Sequence, residues 1–352
     1  MANWHRTRLL TASVATAVAI LATSVGASAS SDRAGRSEAG AKTNLPRKTI
    51  GVMGPINAAE IIKLGTDATV AAAQALGWKT VQVDPLGDPA KMASGMTSLV
   101  NSRVDAIVLT TIEPAVIRSG LLAARRARIP VINTHTSVHS SPLHTAEYFL
   151  VPRKEFAVLE ARMARDLPRG SEIGTINLPQ FLNAKIAGDL IKAAARRHGW
   201  RIVASHDTDV QNAVADVQRA VGDMIRANPG LDAIWSCCDF GPTGAIPAIR
   251  ASGKNLKVYS LHGIPSSIAQ ARTGIAVLEV AEYQKGSIVA IDELAAYFAT
   301  GDPISRRMPA RYAYRQTLVD RSNASKGYPY PTKRMLAPFI AKWKRLYNLP
   351  AR

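Results

Sequence analysis

The sequence predicts an α/β protein of two Rossmann-like lobes with parallel sheets, joined by a multi-strand hinge. Three observations predict it. Apolar runs of strand length alternate with helix-length segments from residue 48 onward; this is the pattern of βαβ units, in which a helical crossover returns the chain to a parallel strand. The alternation pauses once, in the polar connection NTHTSVHSSP at 133–142, and then restarts. A strand-like stretch at 275–281 and a long helical one at 283–300 remain after the second series; both fit neither lobe alone, and the chain is expected to cross to the first lobe at 282. At 352 residues the chain can bury a core in each lobe.

In chain order, Arg6 and Arg8 precede an apolar run at 9–25 that ends in Ala27-Ser28-Ala29. That is the layout of a secretory signal peptide, too short and wrongly flanked for a lasting membrane span. Residues 1–29 are therefore expected to be removed, and the polar 30–47 to form a flexible leader. No cysteine lies near the cut, which argues against a lipid anchor. Strand 49–53 follows, then the turn Gly54-Pro55-Ile56-Asn57 and a helix at 58–76 stopped by Gly77. Strand 80–84 leads to a helix ending near Asn101, strand 106–110 to a helix entered at Pro114, and 129–132 is the fourth strand. After the pause come helix 153–166, strand 173–177, helix 182–197, strand 201–206 and helix 210–228. Strand 233–236, helix 243–251, strand 257–261 and a short helix at 266–272 complete the second series. The tail holds a strand candidate at 312–319 and a basic amphipathic helix at 338–347. The expected division is 48–136 plus 282–312 for the first lobe, and 137–281 plus 313–352 for the second.

The formal charge is +18, and about +16 without Arg6 and Arg8. The basic residues lie on helix faces and in the tail rather than in one arm with aromatic neighbours, so a nucleic-acid partner is not expected. A basic surface suits an anionic envelope, or solubility. The two cysteines are adjacent, Cys237 and Cys238. They are either two thiols or a strained vicinal disulfide, and no flanking Cys or His spacing suggests a metal.

The stretch 231–253, LDAIWSCCDFGPTGAIPAIRASG, matters most for function. A strand that turns directly into a helix leaves its carboxyl end open, and ligands bind at that edge of open α/β sheets. Asp239 stands there, either as an acceptor for a guest's hydroxyl or amine groups or as the N-cap of the following helix.

The chain resembles the type I periplasmic substrate-binding proteins, the ribose- and galactose-binding group whose fold also forms the effector domains of LacI-type repressors. The resemblance runs from about 48 to 318 and rests on VDAIVLTTIEPAVI (104–117), IPVINTHTS (129–137), KIAGDL (185–190), the stretch at 231–253, VYSLHGIPSSIAQARTG (258–274) and LEVAEYQKG (278–286). It implies a ligand cleft between the lobes. Position by position it implies Ile56 and Asn57 after the first strand, and Thr111 and Glu113 after the third. His135 and His262 stand where the family has Asp, Lys185 where sugar binders place a forked Arg, Cys238-Asp239 at an Asn-Asp pair, and Glu282 at a Gln. Phe181 and Phe240 remain as stacking candidates. These departures weaken a typical pentose or hexose site, which grips hydroxyls with planar and charged side chains. Each also has a plainer reading: Lys185 as a solvated helix residue, and His135 and His262 as structural groups or, with His139 and His144, as a metal set.

The resemblance implies capture of a small polar solute, a sugar or polyol by default, for a membrane ABC permease, by hinge closure and as a monomer. Alternatives are a compact aromatic or carboxylated metabolite, or a sensor presenting its closed form to a membrane receptor. No cofactor is expected. No hydrolase elbow, H-E-x-x-H or phosphate loop occurs, so an enzyme would have to rest on Cys238 paired with a histidine.

Overall fold

Two parallel sheets with buried faces explain why the strands read as continuous apolar runs rather than alternating ones. In the computed structural model, which describes residues 42–136, 140–149, 151–328 and 331–349, the chain begins with β1 (Thr43–Asn44) and β2 (Thr49–Met53). Then come α1 (Glu60–Ala75), β3 (Lys79–Val83), α2 (Pro89–Asn101), β4 (Ala106–Thr110), α3 (Arg118–Arg126), β5 (Val131–Thr136) and β6 (Ala146–Phe149). The expected signal peptide and most of the leader lie outside the described residues. The first sheet has the order β3-β2-β4-β5-β6, all parallel. Every residue of β4 is buried. Ala106 and Val108 pack on one face with α1, while Ile107 and Leu109 pack on the other with Met96 and Leu121 of α2 and α3.

The second series is α4 (Pro152–Asp166), β7 (Glu172–Asn177), α5 (Leu182–His198), β8 (Arg201–Asp207), α6 (Ala213–Ala227), β9 (Leu231–Ser236), α7 (Phe240–Ser252), β10 (Lys257–Ser260), α8 (Pro265–Ala271) and β11 (Ala276–Ala281). The chain closes with α9 (Gln284–Thr300), β12 (Gln316–Val319), α10 (Thr332–Leu346) and β13 (Tyr347–Asn348). The second sheet has the order β12-β11-β10-β9-β7-β8, with only β12 antiparallel among its described strands. Helix ends follow local chemistry. Asp88 caps α2 through the N–H groups of Ala90 and Lys91, with Pro89 in the first turn, and left-handed Gly199, Gly253 and Gly301 close α5, α7 and α9.

Three expectations are corrected. The first lobe does not end at 136: β6 pairs parallel with β5, so 146–149 belong to the first sheet. The strand at 275–281 lies in the second lobe, as the division at 281 has it, with β11 between β10 and β12 in the second sheet. The helix after Pro114 begins only at Arg118, the intervening residues forming a turn. The tail also does not stay with the second lobe. β12 joins the second sheet, whereas Leu336, Phe339 and Trp343 of α10 pack with Ile288, Ile291 and Leu294 of α9 in the first core. Buried Asp292 fixes this docking, accepting from Trp343 Nε1 at 2.8 Å and from Lys342 Nζ at 2.6 Å. The chain thus passes between the lobes between β6 and α4, β11 and α9, α9 and β12, and β12 and α10.

Trp343 is fully buried. Trp343→Ala is expected to lower the unfolding free energy by about 3–5 kcal/mol in a denaturant titration. A loss below about 1 kcal/mol would contradict the docking of α10 on the first core.

Candidate functional site

The turns that follow the strands of both sheets meet at one cavity of about 580 Å³. Ile56, Glu60 and Thr111 reach it from the first lobe, and Phe181, Asp239 and His262 from the second. Each follows the carboxyl end of β2, β4, β7, β9 or β10, the edge at which open parallel sheets bind ligands. Much of the remaining wall is apolar, with Ile61, Ile62, Leu178, Val210 and Ile264. No Lys or Arg is among the described residues that line it.

The turn from β9 into α7 is held by hydroxyls. Ser236 Oγ donates to the Cys238 carbonyl at 2.9 Å, and Ser260 Oγ donates to the same oxygen at 2.8 Å. Glycine is required at 241, where a Cβ would lie 2.1 Å from Ser236 Oγ. Asp239 occupies the N-cap position of α7 and makes no side-chain capping bond to it. The residue is 7% exposed, lines the cavity and forms no ion pair among the described residues. Burial raises it to about 6, opposed by the charge of His262 and assisted by Glu60. Cys237 and Cys238 are two buried free thiols, their Sγ atoms 2.9 Å apart. The bond to Cys237 and burial push the Cys238 thiol well up, against a pull from His262.

Behind Asp239 lies a buried ionic group. His262 Nε2 is 3.6 Å from Glu155 Oε2, and the His262 backbone N–H donates to Glu279 Oε2 at 3.3 Å. Burial alone would lower this imidazole. Hydrogen bonds to Cys238 and Glu155 and the charges of Glu155 and Glu279 overcome it and raise the pKa well above the ordinary value. Glu279 is raised to about 8, first by burial and then by the charge of Glu155.

Three non-glycine residues at strand ends adopt the left-handed region: Thr111 (φ 56°), His135 (φ 58°) and His262 (φ 60°). Such backbone is costly for a β-branched threonine and concentrates where ligands or hinges need it. Thr111 Oγ1 and Tyr283 OH are 2.9 Å apart, and Tyr283 stacks on His135 with centroids 3.8 Å apart. The His135 Nε2–H donates to the Tyr283 carbonyl, and burial keeps the ring neutral, lowering its pKa to about 3. Asn183 Nδ2 of the second lobe donates to the His135 carbonyl at 3.4 Å.

Of the expected site residues, Ile56, Thr111, Phe181, Cys238, Asp239, Phe240 and His262 are brought to this cavity. The others are placed elsewhere. His135 is packed in the hinge against Tyr283. Asn57 accepts from Thr66 Oγ1 at 3.3 Å and donates its N–H to Asp84 at 3.3 Å. Glu113 sits in the turn before α3, and Glu282 pairs with Lys285 at the crossing into α9. Lys185 is exposed and pairs with Asp189 one helical turn on. His144 pairs with Glu147 at 2.8 Å, and His139 lies outside the described residues. The sequence reading missed Glu60, Asn183 and Tyr283 on the wall and Glu155 and Glu279 behind it. A signal existed for Glu279, a lone acid in the buried strand AVLEVA, since a charge there demands a partner.

A family model described as a periplasmic binding protein domain matches residues 50–290. The ribose import binding protein of Bacillus subtilis (strain 168) is 22% identical over 208 residues, which cover 55% of this chain and 62% of that protein. An ABC transporter solute-binding protein from Agrobacterium vitis with bound allitol is 20% identical, with a TM-score of 0.69 over 80% of this chain and 98% of that one. One from Mycobacterium smegmatis with bound glycerol is 22% identical, with a TM-score of 0.69 over 82% and 99%. A 5-methylthioribose transporter solute-binding protein from Thermotoga lettingae is 17% identical, with a TM-score of 0.70 over 83% and 92%.

Because burial raises Glu279 to about 8, this group's contribution to the unfolding free energy falls as pH rises between about 4.5 and 8. Glu279→Gln lacks that titration. Between pH 5 and pH 8 its stability is expected to improve against the unaltered protein by on the order of 3 kcal/mol in urea titrations. A difference independent of pH would contradict the buried placement.

Proposed function

The chain belongs to the periplasmic binding protein domain family, and on that premise we propose that it is the solute-binding component of an ABC importer, closing two lobes on a small polar solute of the sugar or polyol class. One observation carries the reading: strand-end turns of both sheets line the same cavity, so a guest there touches both lobes together. Contacts available only in the closed arrangement shift the population towards it, and the closed form is what a membrane permease would recognise. The allitol, glycerol and 5-methylthioribose carried by similar proteins support the solute class. The N-terminal layout, Arg6 and Arg8 before an apolar run and Ala27-Ser28-Ala29, supports export.

The wall favours a neutral or cationic solute over a carboxylated one. Among the described lining residues His262 is the one cationic candidate, and Glu155 already engages it. Phe181 and Phe240 offer apolar faces to a sugar ring or deoxygenated carbon. Catalysis through Cys238 is disfavoured, since a nucleophilic thiol needs a lowered pKa and this one is raised.

A calorimetric screen of sugars and polyols is expected to find a ligand whose affinity falls about 100-fold in Asp239→Ala and about tenfold in Phe240→Ala, with both variants folded by circular dichroism. A ligand held equally by all three proteins would place the site elsewhere.

A further inference from the structure

Resting on the reading of this cleft as a solute site, we propose that the solute carries a protonated amine, an amino sugar or amino alcohol, whose ammonium group is received by Asp239 and Glu60. The imbalance of charge at the cavity is the first ground. Asp239 and Glu60 line it, no Lys or Arg does, and Asp239 is more than nine-tenths buried without an ion pair among the described residues. The cation beside it, His262, is engaged by Glu155 at 3.6 Å and, through its backbone N–H, by Glu279 at 3.3 Å. The Glu155 carboxylate thus already answers that imidazole. A buried carboxylate left over is stabilised far more by an ammonium than by a neutral hydroxyl, because charge-assisted hydrogen bonds are about twice as strong.

The chemistry of the donors is the second ground: an ammonium offers three donors and no acceptor, which suits a wall lined by two carboxylates. The aromatic rings of Phe181, Phe240 and Tyr283 share the wall and favour a cation over an anion. The chain as a whole carries +18, so the acidic lining is a local property of the cleft and not a reflection of bulk charge.

The test is calorimetry at pH 7.5 on the purified protein with matched pairs: hexoses against their 2-amino-2-deoxy counterparts, and short polyols against amino alcohols of equal length. At least one amino member is expected to bind ten times or more tightly than its neutral partner. Asp239→Asn should bring that ratio to about one. Glu60→Gln, a half-exposed position that does not threaten folding, should reduce the ratio about threefold. If a neutral member binds as tightly as its amine, the amine inference falls and the solute-binding reading stands. If no member of either series binds, both fall.

Discussion

The stack of His135 on Tyr283, ring centroids 3.8 Å apart, is the contact on which the rest of the structure depends. It joins the end of β5 to the crossing between β11 and α9, where the chain leaves the second sheet for the first lobe. Tyr283 reaches Thr111 at the end of β4, and the His135 carbonyl receives Asn183 from the second lobe. Gly286 permits the packing, since a Cβ there would lie 3.0 Å from His135 Nε2. With this knot in place, the carboxyl edges of the two sheets are held facing one gap. A neutral, desolvated histidine suits that role, because a charged ring would be unstable in so buried a position.

The polar chemistry sits on the second lobe and most of the apolar wall completes it. Cys238 is fixed by hydroxyl bonds to its carbonyl at the β9–α7 turn, and His262 after β10 by its backbone N–H to Glu279, so the proposed solute meets a preorganised surface there. The first lobe contributes chiefly Ile56, Ile61 and Ile62, with Thr111 and Glu60 as its polar groups. Closure of such a lobe excludes water from the carboxylate it covers, which strengthens every interaction made with it.

Much of this was legible because strand ends are legible. Cys238, Asp239 and His262 directly follow apolar runs, and the position of a turn after a parallel strand determines which edge it faces. What could not be read was direction within a helix or across a crossing. Asn183 lines the cavity whereas Lys185, two positions on, points to solvent and pairs with Asp189; periodicity does not tell which face of α5 meets the gap. The tail was misread for a similar reason. The amphipathic pattern of α10 announces a buried face, but only the Asp292 carboxylate on α9 decides which lobe receives it. Glu155 resembles any first-turn helix acid, and its pairing with His262 across the second lobe leaves no mark in local sequence.

Closure of the two lobes on a guest is the central claim, and an interlobe distance tests it most directly. Spin labels at the exposed positions Leu86 and Gln218, one on each lobe, report that distance by pulsed electron resonance. The account predicts a broad or longer distribution in the free protein that collapses to a single shorter distance at saturating ligand. An unchanged distribution, with binding confirmed in the same sample, would contradict it.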